Sequence, residues 1–439
     1  MGFSTALSGL NAASKDLAVT GNNIANANTT GFKESRTEFA DVYAASVTGV
    51  SKTQAGAGVR VTNVAQQFSQ GNLNFTDNNL DLAISGQGFF SMSTDPAASS
   101  PSLYTRAGEF KLDKDGFVTN NQGNFLMAFS PNGTTVEEGF SEGVFKPLKI
   151  NAAQGAPVAT SKIETAVNLD ATEIKPPNYT AQVPGDTTVP VDPTDSRTYN
   201  HTSSVSIFDS QGNSHIASMY YVTDDAASNQ WLSYFFIDGV PFNENGTKAD
   251  AGATRHDPIT LNFDSAGKLT TDPAKKNFNG INLANVDPSL NVANLDFTFD
   301  FGGTTQFSTN FSVQDLSQDG LPAGNLIGID IDDKGVVSSR FSNGGSEILG
   351  KVALTRFANP QGLTKKGDTT WGESNASGQS VPGQPGTGSF GVIQSGALES
   401  SNVDISTQLV HLIIAQQAYQ ANAQTITTEK TIIQTILNA

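Results

Sequence analysis

Two apolar heptad repeats, one near each end of the chain, constrain the fold of this 439-residue sequence more than any other feature. Residues 2–27 contain no proline and carry an apolar residue at every seventh position: Phe3, Leu10, Leu17 and Ile24. Near the other end, two sets of positions repeat in the same way: Ile405, Leu412, Tyr419, Ile426 and Ile433, with Leu409, Gln416, Ala423, Lys430 and Leu437 between them. A seven-residue apolar repeat predicts a helix whose narrow stripe packs against other helices.

Capping residues predict where these helices begin and end. The first helix is expected to end in 26–31, where Asn and Gly are frequent. At the second helix, Asn402 is the predicted N-cap, and Asp404 is predicted to lie in the first turn, next to the positive end of the helix dipole. This helix would extend for about 33 residues, or ~50 Å.

The stripes are too narrow to bury much apolar surface on a globular body. In addition, 425–437 is crowded with Thr and Ile, which lose side-chain freedom in a helix. We therefore expect both ends to be poorly ordered in the monomer and to form a coiled coil in an assembly. The alternative is that both helices simply pack on the core of one domain.

Between the helical ends, the sequence predicts short β-strands separated by turns. The predicted strands are 80–84, 89–92, 117–118, 205–208, 216–222, 231–237, 295–301 and 327–331. The turn signals are Asp115-Gly116, Asn132-Gly133, Gln211-Gly212, Asp238-Gly239, Asn245-Gly246 and Lys334-Gly335. Residues 171–198, with five prolines, and the Gly/Ser/Pro-rich residues 372–391 are predicted to be long loops or crossings between domains.

The predicted fold class is mainly β with α-helical termini, arranged as nested discontinuous domains. The terminal coiled-coil domain would combine 1–30 with 400–439, followed by a connecting segment at 31–67. A β-rich domain would combine 68–147 with 319–399. An outer β domain at 148–318, with a barrel-like or sandwich-like form, would be inserted in it.

Composition excludes several functional classes. Lys and Arg number 25 against 42 Asp and Glu, and a net charge of −17 disfavours binding to nucleic acid or to anionic membranes. The chain has no cysteine, so disulfides and thiolate chemistry are excluded. Its first residues lack the pattern of a cleaved secretory signal, and no apolar run approaches the ~20 residues that span a bilayer.

The sequence also lacks a recognisable reaction centre. The four histidines, His201, His215, His256 and His411, show no metal-ligand spacing. The acidic run at 330–335 lacks the closing Glu of a calcium loop, so a hairpin turn is the favoured interpretation. We expect no catalytic, cofactor or metal site and no enzymatic activity. An acidic glycosidase is the enzymatic alternative, but nothing singles out a pair of carboxylates.

Several stretches resemble one family, the flagellar axial proteins of rod and hook, and within it the hook proteins most. The segment 22–33 resembles the signature of this family, through Asn22, Asn23, Asn26, Thr30, Gly31, Phe32 and Lys33. Segments 82–90, 104–110 and 415–423 are also similar, as is 396–404, which contains Asn402, Val403 and Asp404. The similarity of 208–215 and the chain length favour hook over distal rod proteins. The resemblance is weak at 150–200 and 240–300.

The resemblance implies a structural subunit that polymerises into a curved helical tube. Such a tube acts as a universal joint that transmits torque from rod to filament, with the terminal helices innermost. The implied partners are further copies of the chain, the distal rod protein, the hook cap, the hook–filament junction proteins and the flagellar export apparatus, without nucleic acid or membrane. The implied location is the extracellular hook of the bacterial flagellum, reached without a cleaved signal peptide.

The apolar stripe residues are the predicted polymerisation interface: Phe3, Leu10, Leu17, Ile24, Ile405, Leu409, Leu412, Tyr419, Ile426, Ile433 and Leu437. The opposite, mostly neutral face of the second helix is predicted to line an export channel, through Gln408, His411, Ala415, Asn422, Thr425 and Glu429. A distal rod subunit and a β-domain surface adhesin are the remaining alternatives. A straight polymer would favour the rod subunit, and a chain that never polymerises would favour the adhesin.

Overall fold

A computed structural model describes residues 2–42, 56–150, 155–181, 189–223, 229–249, 255–271 and 274–438. Part of the predicted connecting segment at 31–67 lies outside these ranges. The chain forms two compact units. The terminal unit comprises Met1–Ala152, Gly328–Arg340 and Ser346–Ala439, and the mid-chain unit comprises Ala153–Ile327 and Phe341–Gly345. The mid-chain unit is thus an insertion in a unit built from both ends of the chain.

Two helices lie at the ends of the chain, as predicted. Helix α1 is Gly2–Ala25, and helix α2 is Ile405–Leu437 with 33 residues. All the other long elements of the described residues are strands, so the predicted mainly β fold with helical termini is confirmed.

The strands follow in chain order. Before the insertion they are β1 Ser35–Asp41, β2 Val59–Gln66, β3 Leu73–Phe75, β4 Leu82–Ser85, β5 Phe89–Ser93, β6 Leu103–Thr105, β7 Lys111–Leu112, β8 Val118–Thr119, β9 Phe125–Pro131 and β10 Phe140–Pro147. In the insertion they are β11 Lys162–Asp170, β12 His201–Phe208, β13 Ser214–Thr223, β14 Gln230–Ile237, β15 Val240–Phe242, β16 Ile259–Asn262, β17 Lys275–Ile281, β18 Leu295–Asp300, β19 Thr305–Phe307 and β20 Ser312–Gln318. The last group is β21 Leu326–Ile331, β22 Val336–Phe341, β23 Ser346–Val352, β24 Leu354–Arg356, β25 Thr364–Gly367, β26 Thr370–Gly372, β27 Val381–Gly383, β28 Val392–Ser395 and β29 Ala397–Glu399.

A large antiparallel sheet forms the body of the terminal unit. Its strand order is β21-β22-β23-β9-β5-β6-β26-β25, with β7, β8, β10, β24 and β27 attached to this path. Strand β5 is buried along its whole length, and its Phe89 packs with Trp371 and Tyr104 in an aromatic cluster. Two short pairs, β28 with β4 and β29 with β3, join the last strands to early ones. These pairs bring the segments that precede α2 next to those that follow α1.

Two five-stranded sheets form the mid-chain unit and share one core. The first has the order β17-β18-β11-β19 with β20 on β11, and the second has β12-β13-β14-β15 with β16 on β14. Buried side chains of both sheets, including Ile163, Phe297 and Trp231, belong to a single apolar cluster. Apolar faces of two sheets that exclude water together are the arrangement of a β-sandwich.

Four tight turns have the same side-chain geometry. Asp113, Asn120, Asp209 and Asp264 each accept, through Oδ1, the backbone N–H groups two and four residues later. The residue three positions later is always a glycine with φ between 75° and 83°. An Asx side chain followed by a left-handed glycine closes a hairpin locally. Two of these turns were predicted, from Asp115-Gly116 and Gln211-Gly212, whereas those at Gly123 and Gly267 were not. The acidic run at 330–335 also forms a turn, between β21 and β22.

The two predicted loops have different outcomes. The described residues of 171–198 form no helix or strand, and they cover the second face of β14, where the Tyr179 hydroxyl lies 2.8 Å from that of Tyr234. The prediction that 372–391 is a long loop or a crossing between domains is wrong in part, because the range contains β27, which pairs with β24. Pro382 lies within this short outer strand, where a missing N–H is tolerated.

We expect His256 to make the stability of the mid-chain unit depend on pH. Burial lowers the pKa of its imidazole from 6.5 to about 4, and its ring lies edge-on to Tyr234 and Phe236. Between these two pH values the unfolded chain binds more protons than the folded chain. Stability therefore falls as the pH drops from 6.5 to about 4, by about 3 kcal/mol for this group.

The measurement is thermal unfolding of the full chain at several pH values between 4 and 7. In His256→Phe, which keeps an aromatic ring but does not titrate, the dependence of the midpoint on pH should be smaller across this window. An equal slope in both proteins would show that other groups cause it.

Candidate assembly interface

Helices α1 and α2 pack against each other as an antiparallel helix pair. The side chain of Asn23 donates to Gln408 Oε1 at 3.1 Å, and at the other end a Cβ on Gly9 would lie 2.5 Å from Asn422 Oδ1. Fourteen residues separate these two contacts on each helix. At this register Gly2 lies beside Glu429, so 430–437 of α2 extend beyond α1.

Small side chains form the contact face of α1. Its buried positions are Ala6, Ala12, Ala13, Val19, Thr20 and Asn23. The predicted stripe lies at the edge of this contact instead of its centre: Phe3 is 49% exposed, and Leu10, Leu17 and Ile24 are half-buried. Alanine and glycine let two helix axes approach closely, which explains why the larger leucines are displaced to the flank.

Most of α2 faces outward, including nearly all its large apolar side chains. The structure describes the whole helix, and Gln408 and Ala415 are its buried residues. Of the predicted interface, Leu412 and Ile426 are half-buried, whereas Ile405, Leu409, Tyr419, Ile433 and Leu437 are exposed. Five further exposed apolar residues lie outside the heptad positions and are therefore absent from the predicted interface: Val410, Ile413, Ile414, Ile432 and Ile436.

The predicted channel face of α2 is wrong for the residues that touch α1. Gln408 and Ala415 are buried, and Asn422 lies against Gly9. Glutamine and asparagine are accommodated there because they hydrogen-bond: Gln408 also donates to Glu34 Oε1 at 2.8 Å. This neutral polar face therefore packs against α1 of the same chain, whereas the prediction placed it on the wall of an export channel.

Strands β1 and β2 form a two-stranded ribbon along the side of α1. Asn23 holds one end of the ribbon, because it donates to Ser35 O at 2.8 Å and accepts from Ser35 N at 2.9 Å. Ser8 holds the other end, where its hydroxyl accepts from Val59 N at 3.2 Å. Helix α1 thus contacts α2 and both strands of the ribbon. An isolated two-stranded ribbon is only marginally stable, so this support from α1 is necessary.

Several residues of the family signature hold the segment between α1 and the β-sheets. Asn26 donates to Asn22 O at 2.9 Å, and its Oδ1 accepts from Thr29 at 3.2 Å, which closes the end of the helix. Thr30 donates to Glu109 Oε1 at 2.6 Å. Asn22 and Phe32 line an open cleft of about 320 Å³, together with Asn26.

The signature before α2 has a related role. Asn402 accepts from Glu34 N at 2.7 Å and donates to Gln67 O at 2.8 Å, so it joins the two terminal segments. Val403 is buried. The predicted N-cap, Asn402, is wrong: the N-cap is Asp404, whose carboxylate accepts from Thr407 N at 2.7 Å. That backbone hydrogen bond lowers the pKa of Asp404.

A buried ionic cluster lies between the bases of the two helices. Lys33 Nζ is 2.5 Å from Glu399 Oε1, and Arg106 Nη1 is 3.2 Å from Glu399 Oε2, all with almost no solvent exposure. Lys33 belongs to the family signature, but its pairing with Glu399, which it shares with Arg106, was not predicted. The available signal was that each stands in a segment similar to the family, in a chain with only 15% charged residues.

Gly31 occupies a position that admits no side chain. Its φ is +67°, and an added Cβ would lie 2.4 Å from Ala107 N. We expect Gly31→Ala to lower the free energy of unfolding by roughly 2–4 kcal/mol, because left-handed strain adds to a clash with backbone. Gly123→Ala is the matched control, since its φ is +82° but an added Cβ meets nothing within 4 Å. In denaturant unfolding, Gly123→Ala should lower the free energy of unfolding by only about 1 kcal/mol. Equal losses in the two variants would contradict the clash at Gly31.

The described residues contain no group of three or more His, Asp or Glu side chains that could hold a metal ion. Within the ranges that the structure describes, no helix is long and apolar enough to cross a membrane.

Four family models match successive parts of the chain. Residues 3–33 match the flagella basal body rod protein, and 83–179 match the flagellar hook protein FlgE/F/G D1 domain. Residues 168–321 match the flagellar basal body protein FlaE D2 domain, and 394–439 match the flagellar basal body rod FlgEFG protein C-terminal region. Paired terminal helices around β domains, with these matches, define an axial protein of the flagellum.

Full-length relatives identify the branch of this class. The flagellar hook protein FlgE of Escherichia coli (strain K12) is 34% identical over 442 residues, with 100% of each chain covered. That of Salmonella typhimurium is 34% identical over 445 residues, with the same coverage. The chain therefore belongs to the flagellar hook protein family. The crystal structure of Helicobacter pylori flagellar hook protein FlgE2 has a similar fold, with a TM-score of 0.52 at 17% identity over 74% of this chain and 100% of that one.

Proposed function

We propose that this chain is a structural, non-catalytic subunit of the flagellar hook. It polymerises into a curved helical tube, which acts as a universal joint between rod and filament. Membership of the hook protein family supports this function. The proposal also covers the surfaces, the domains and the partners of the subunit.

The exposed apolar surface of α2 is the observation that carries the proposal. It forms two patches: a proximal patch of Ile405, Leu409, Val410, Ile413 and Ile414, and a distal patch of Ile432, Ile433, Ile436 and Leu437. Ile436 and Leu437 are 70% and 79% exposed. Contiguous exposed apolar side chains on a helix favour burial against a partner. A second copy is the simplest partner, because a contact between different surfaces of identical chains repeats into an open helical polymer.

The originally predicted interface residues fit this arrangement in two groups. Phe3, Ile405, Leu409, Tyr419, Ile433 and Leu437 are exposed and would be covered by neighbouring copies. Leu10, Leu17, Ile24, Leu412 and Ile426 are half-buried beside the contact of the helix pair, and neighbours would complete their burial. In this proposal the coiled coil is formed first by α1 with α2 and then by pairs from adjacent subunits.

The surface of α2 opposite α1 is our candidate for the lining of a central channel. Between the two patches it carries Gln417, Gln420, Gln424, Thr428 and Thr431, all exposed and none charged. These residues lie about 180° around the helix from Gln408, Ala415 and Asn422, at 100° per residue. A neutral polar wall offers little attraction to apolar or charged segments of an exported chain.

For the domains, we propose a terminal domain of 1–30 with 400–439, a connecting segment at 31–67, a β domain of 68–147 with 319–399, and an outer β domain at 148–318. Bending of the tube requires outer domains that slide without separating. Changes within 150–318 should therefore alter curvature, and changes at the ends should alter polymerisation. The proposed partners at the two ends of the tube are the distal rod protein, the hook cap and the hook–filament junction proteins, with the export apparatus acting before assembly.

Electron microscopy of the purified chain under polymerising conditions tests the proposal. Curved tubes are the expected product. Straight, rigid tubes would favour a distal rod subunit, and a chain that stays monomeric under every condition would favour a surface adhesin. Deletion of 405–439 should abolish tube formation, and tubes that form without this helix would exclude α2 as the interface.

A further inference from the structure

The buried ionic cluster of Lys33, Arg106 and Glu399, called here the anchor cluster, has more directional bonds than a simple ion pair. Glu399 Oε1 accepts from Lys33 Nζ and, at 2.9 Å, from Gly71 N. Lys33 also donates to Ser69 O at 2.8 Å. Arg106 donates to Gly86 O at 2.8 Å, and its guanidinium lies 5.4 Å from the centre of the Phe89 ring. One carboxylate thus binds groups from three other segments of the chain, through Lys33, Gly71 and Arg106.

The position of the anchor cluster relates it to both helices. Lys33 follows the end of α1 by eight residues, and Glu399 precedes the start of α2 by six. The backbone repeats the connection, because Gly31 N donates to Glu399 O at 2.7 Å. Arg106 belongs to neither terminal segment and lies directly after β6 of the large sheet. The bases of both helices therefore meet the sheet at a single carboxylate.

The energetics of the anchor cluster favour a role other than stability alone. It contains two cations and one anion, so it buries a net positive charge. Burial lowers the pKa of Lys33 and of Arg106, and Glu399 only partly opposes this effect. Well-packed apolar residues at such a position commonly stabilise a protein as much as a buried ion pair, or more, but they do not specify one orientation. Hydrogen-bonded ions specify an orientation, because donors and acceptors must align.

We infer that the anchor cluster fixes the orientation of the helix pair on the β-sheet of the terminal unit, so that torque on the helices reaches the sheet without slippage. The orienting role rests on the geometry of the terminal unit. The transmission of torque rests, in addition, on the proposed function. Lys33, Arg106 and Glu399 are thus positioning residues, which act through the segments that they hold.

The decisive variant replaces the whole cluster by apolar residues: Lys33→Met, Arg106→Met and Glu399→Leu together. Glu399→Gln keeps the size of the side chain, removes its charge and replaces one accepting oxygen by an NH₂ donor. Asp330→Asn is the matched control, because Asp330 pairs with Arg340 on the exposed surface of the same unit. Since the chain has no cysteine, Asn28→Cys and Glu137→Cys introduce two unique spin-label sites at exposed positions, one just after α1 and one between β9 and β10 of the sheet.

The first readout is the distribution of distances between the two labels in the monomer, with the thermal midpoint as a check of folding. The wild-type and Asp330→Asn backgrounds should give a narrow distribution. The triple variant should keep its midpoint but lose the narrow peak. A narrow distribution in the folded triple variant would overturn the inference, because packing alone would then orient the helices. If the triple variant does not fold, the test uses the folded Glu399→Gln variant. Loss of the narrow peak would then support the inference, and its retention would overturn it.

The second readout is the form of the polymers under the electron microscope. The triple variant should assemble through its unchanged α2 patches but give tubes that lack regular curvature. Regular curved tubes from a variant with a broad distance distribution would overturn the torque part of the inference. If the wild-type chain itself forms no tubes, the proposed function fails, while the distance measurement on the monomer still tests the orientation.

Discussion

Replacement of the distal patch of α2 by serine, at Ile432, Ile433, Ile436 and Leu437, should give a chain that folds but does not polymerise. These side chains lie beyond the end of α1 and are exposed in the single chain. Their loss therefore costs the monomer little. Each is already partly covered in the single chain, with 51% to 79% of the residue exposed, so burial of the four in an assembly contributes roughly 4–8 kcal/mol per subunit. The critical concentration for polymerisation, measured by sedimentation, should rise by roughly 10³-fold or more.

A matched control changes the same number of exposed residues on the same helix. It replaces by serine four glutamines that lie between the two patches, so that no apolar side chain is lost: Gln416, Gln417, Gln420 and Gln424. This variant should still form tubes near the wild-type concentration. If both variants lose polymerisation equally, the general stability of α2 would be responsible, and the distal patch would have no special role.

The second large effect concerns the anchor cluster. Glu399→Ala should lower the free energy of unfolding of the terminal unit by about 3–5 kcal/mol, because it leaves two buried cations without their shared carboxylate. Denaturant unfolding of the full chain, followed by the fluorescence of Trp371 in a Trp231→Phe background, reports on this unit. The background is necessary because Trp231 lies in the mid-chain unit.

Asp330→Ala is the control for this prediction, since Asp330 and Arg340 form an ion pair in which both side chains are about half exposed. An exposed pair contributes at most about 1 kcal/mol. A loss for Glu399→Ala as small as that of the control would mean that Lys33 and Arg106 find other partners or water once the carboxylate is removed.

Local patterns in the sequence predicted the elements of the fold well. The strands at 205–208, 216–222 and 231–237 are present within β12, β13 and β14, since alternating apolar residues and Gly turns act over short distances. The heptad pattern gave the 33-residue length of α2 correctly. It did not give the contact face, because the heptad marks large apolar residues, whereas α1 and α2 meet through alanine, glycine and hydrogen-bonded amides.

Long-range pairs of polar residues were the least predictable part of the site. Lys33 and Glu399 are separated by 366 positions, and nothing in the local sequence around either residue indicates the other as its partner. The same is true of Asn402. Its neighbours in the sequence predict an N-cap, but its side chain hydrogen-bonds to the backbone of Glu34 and Gln67 instead. Side chains that join distant segments can be recognised as unusual from the sequence, but their partners become known only from the fold.

The separation of the two helices along the chain has a consequence for the order of folding. Asn23 and Gln408 are 385 positions apart, whereas the Asx turns close hairpins over five residues. Contacts between distant positions pay a larger loop-closure entropy before they gain any energy. The hairpins should therefore form early and the helix pair last, so that a newly made chain completes its folding with the surface that it offers to its neighbours.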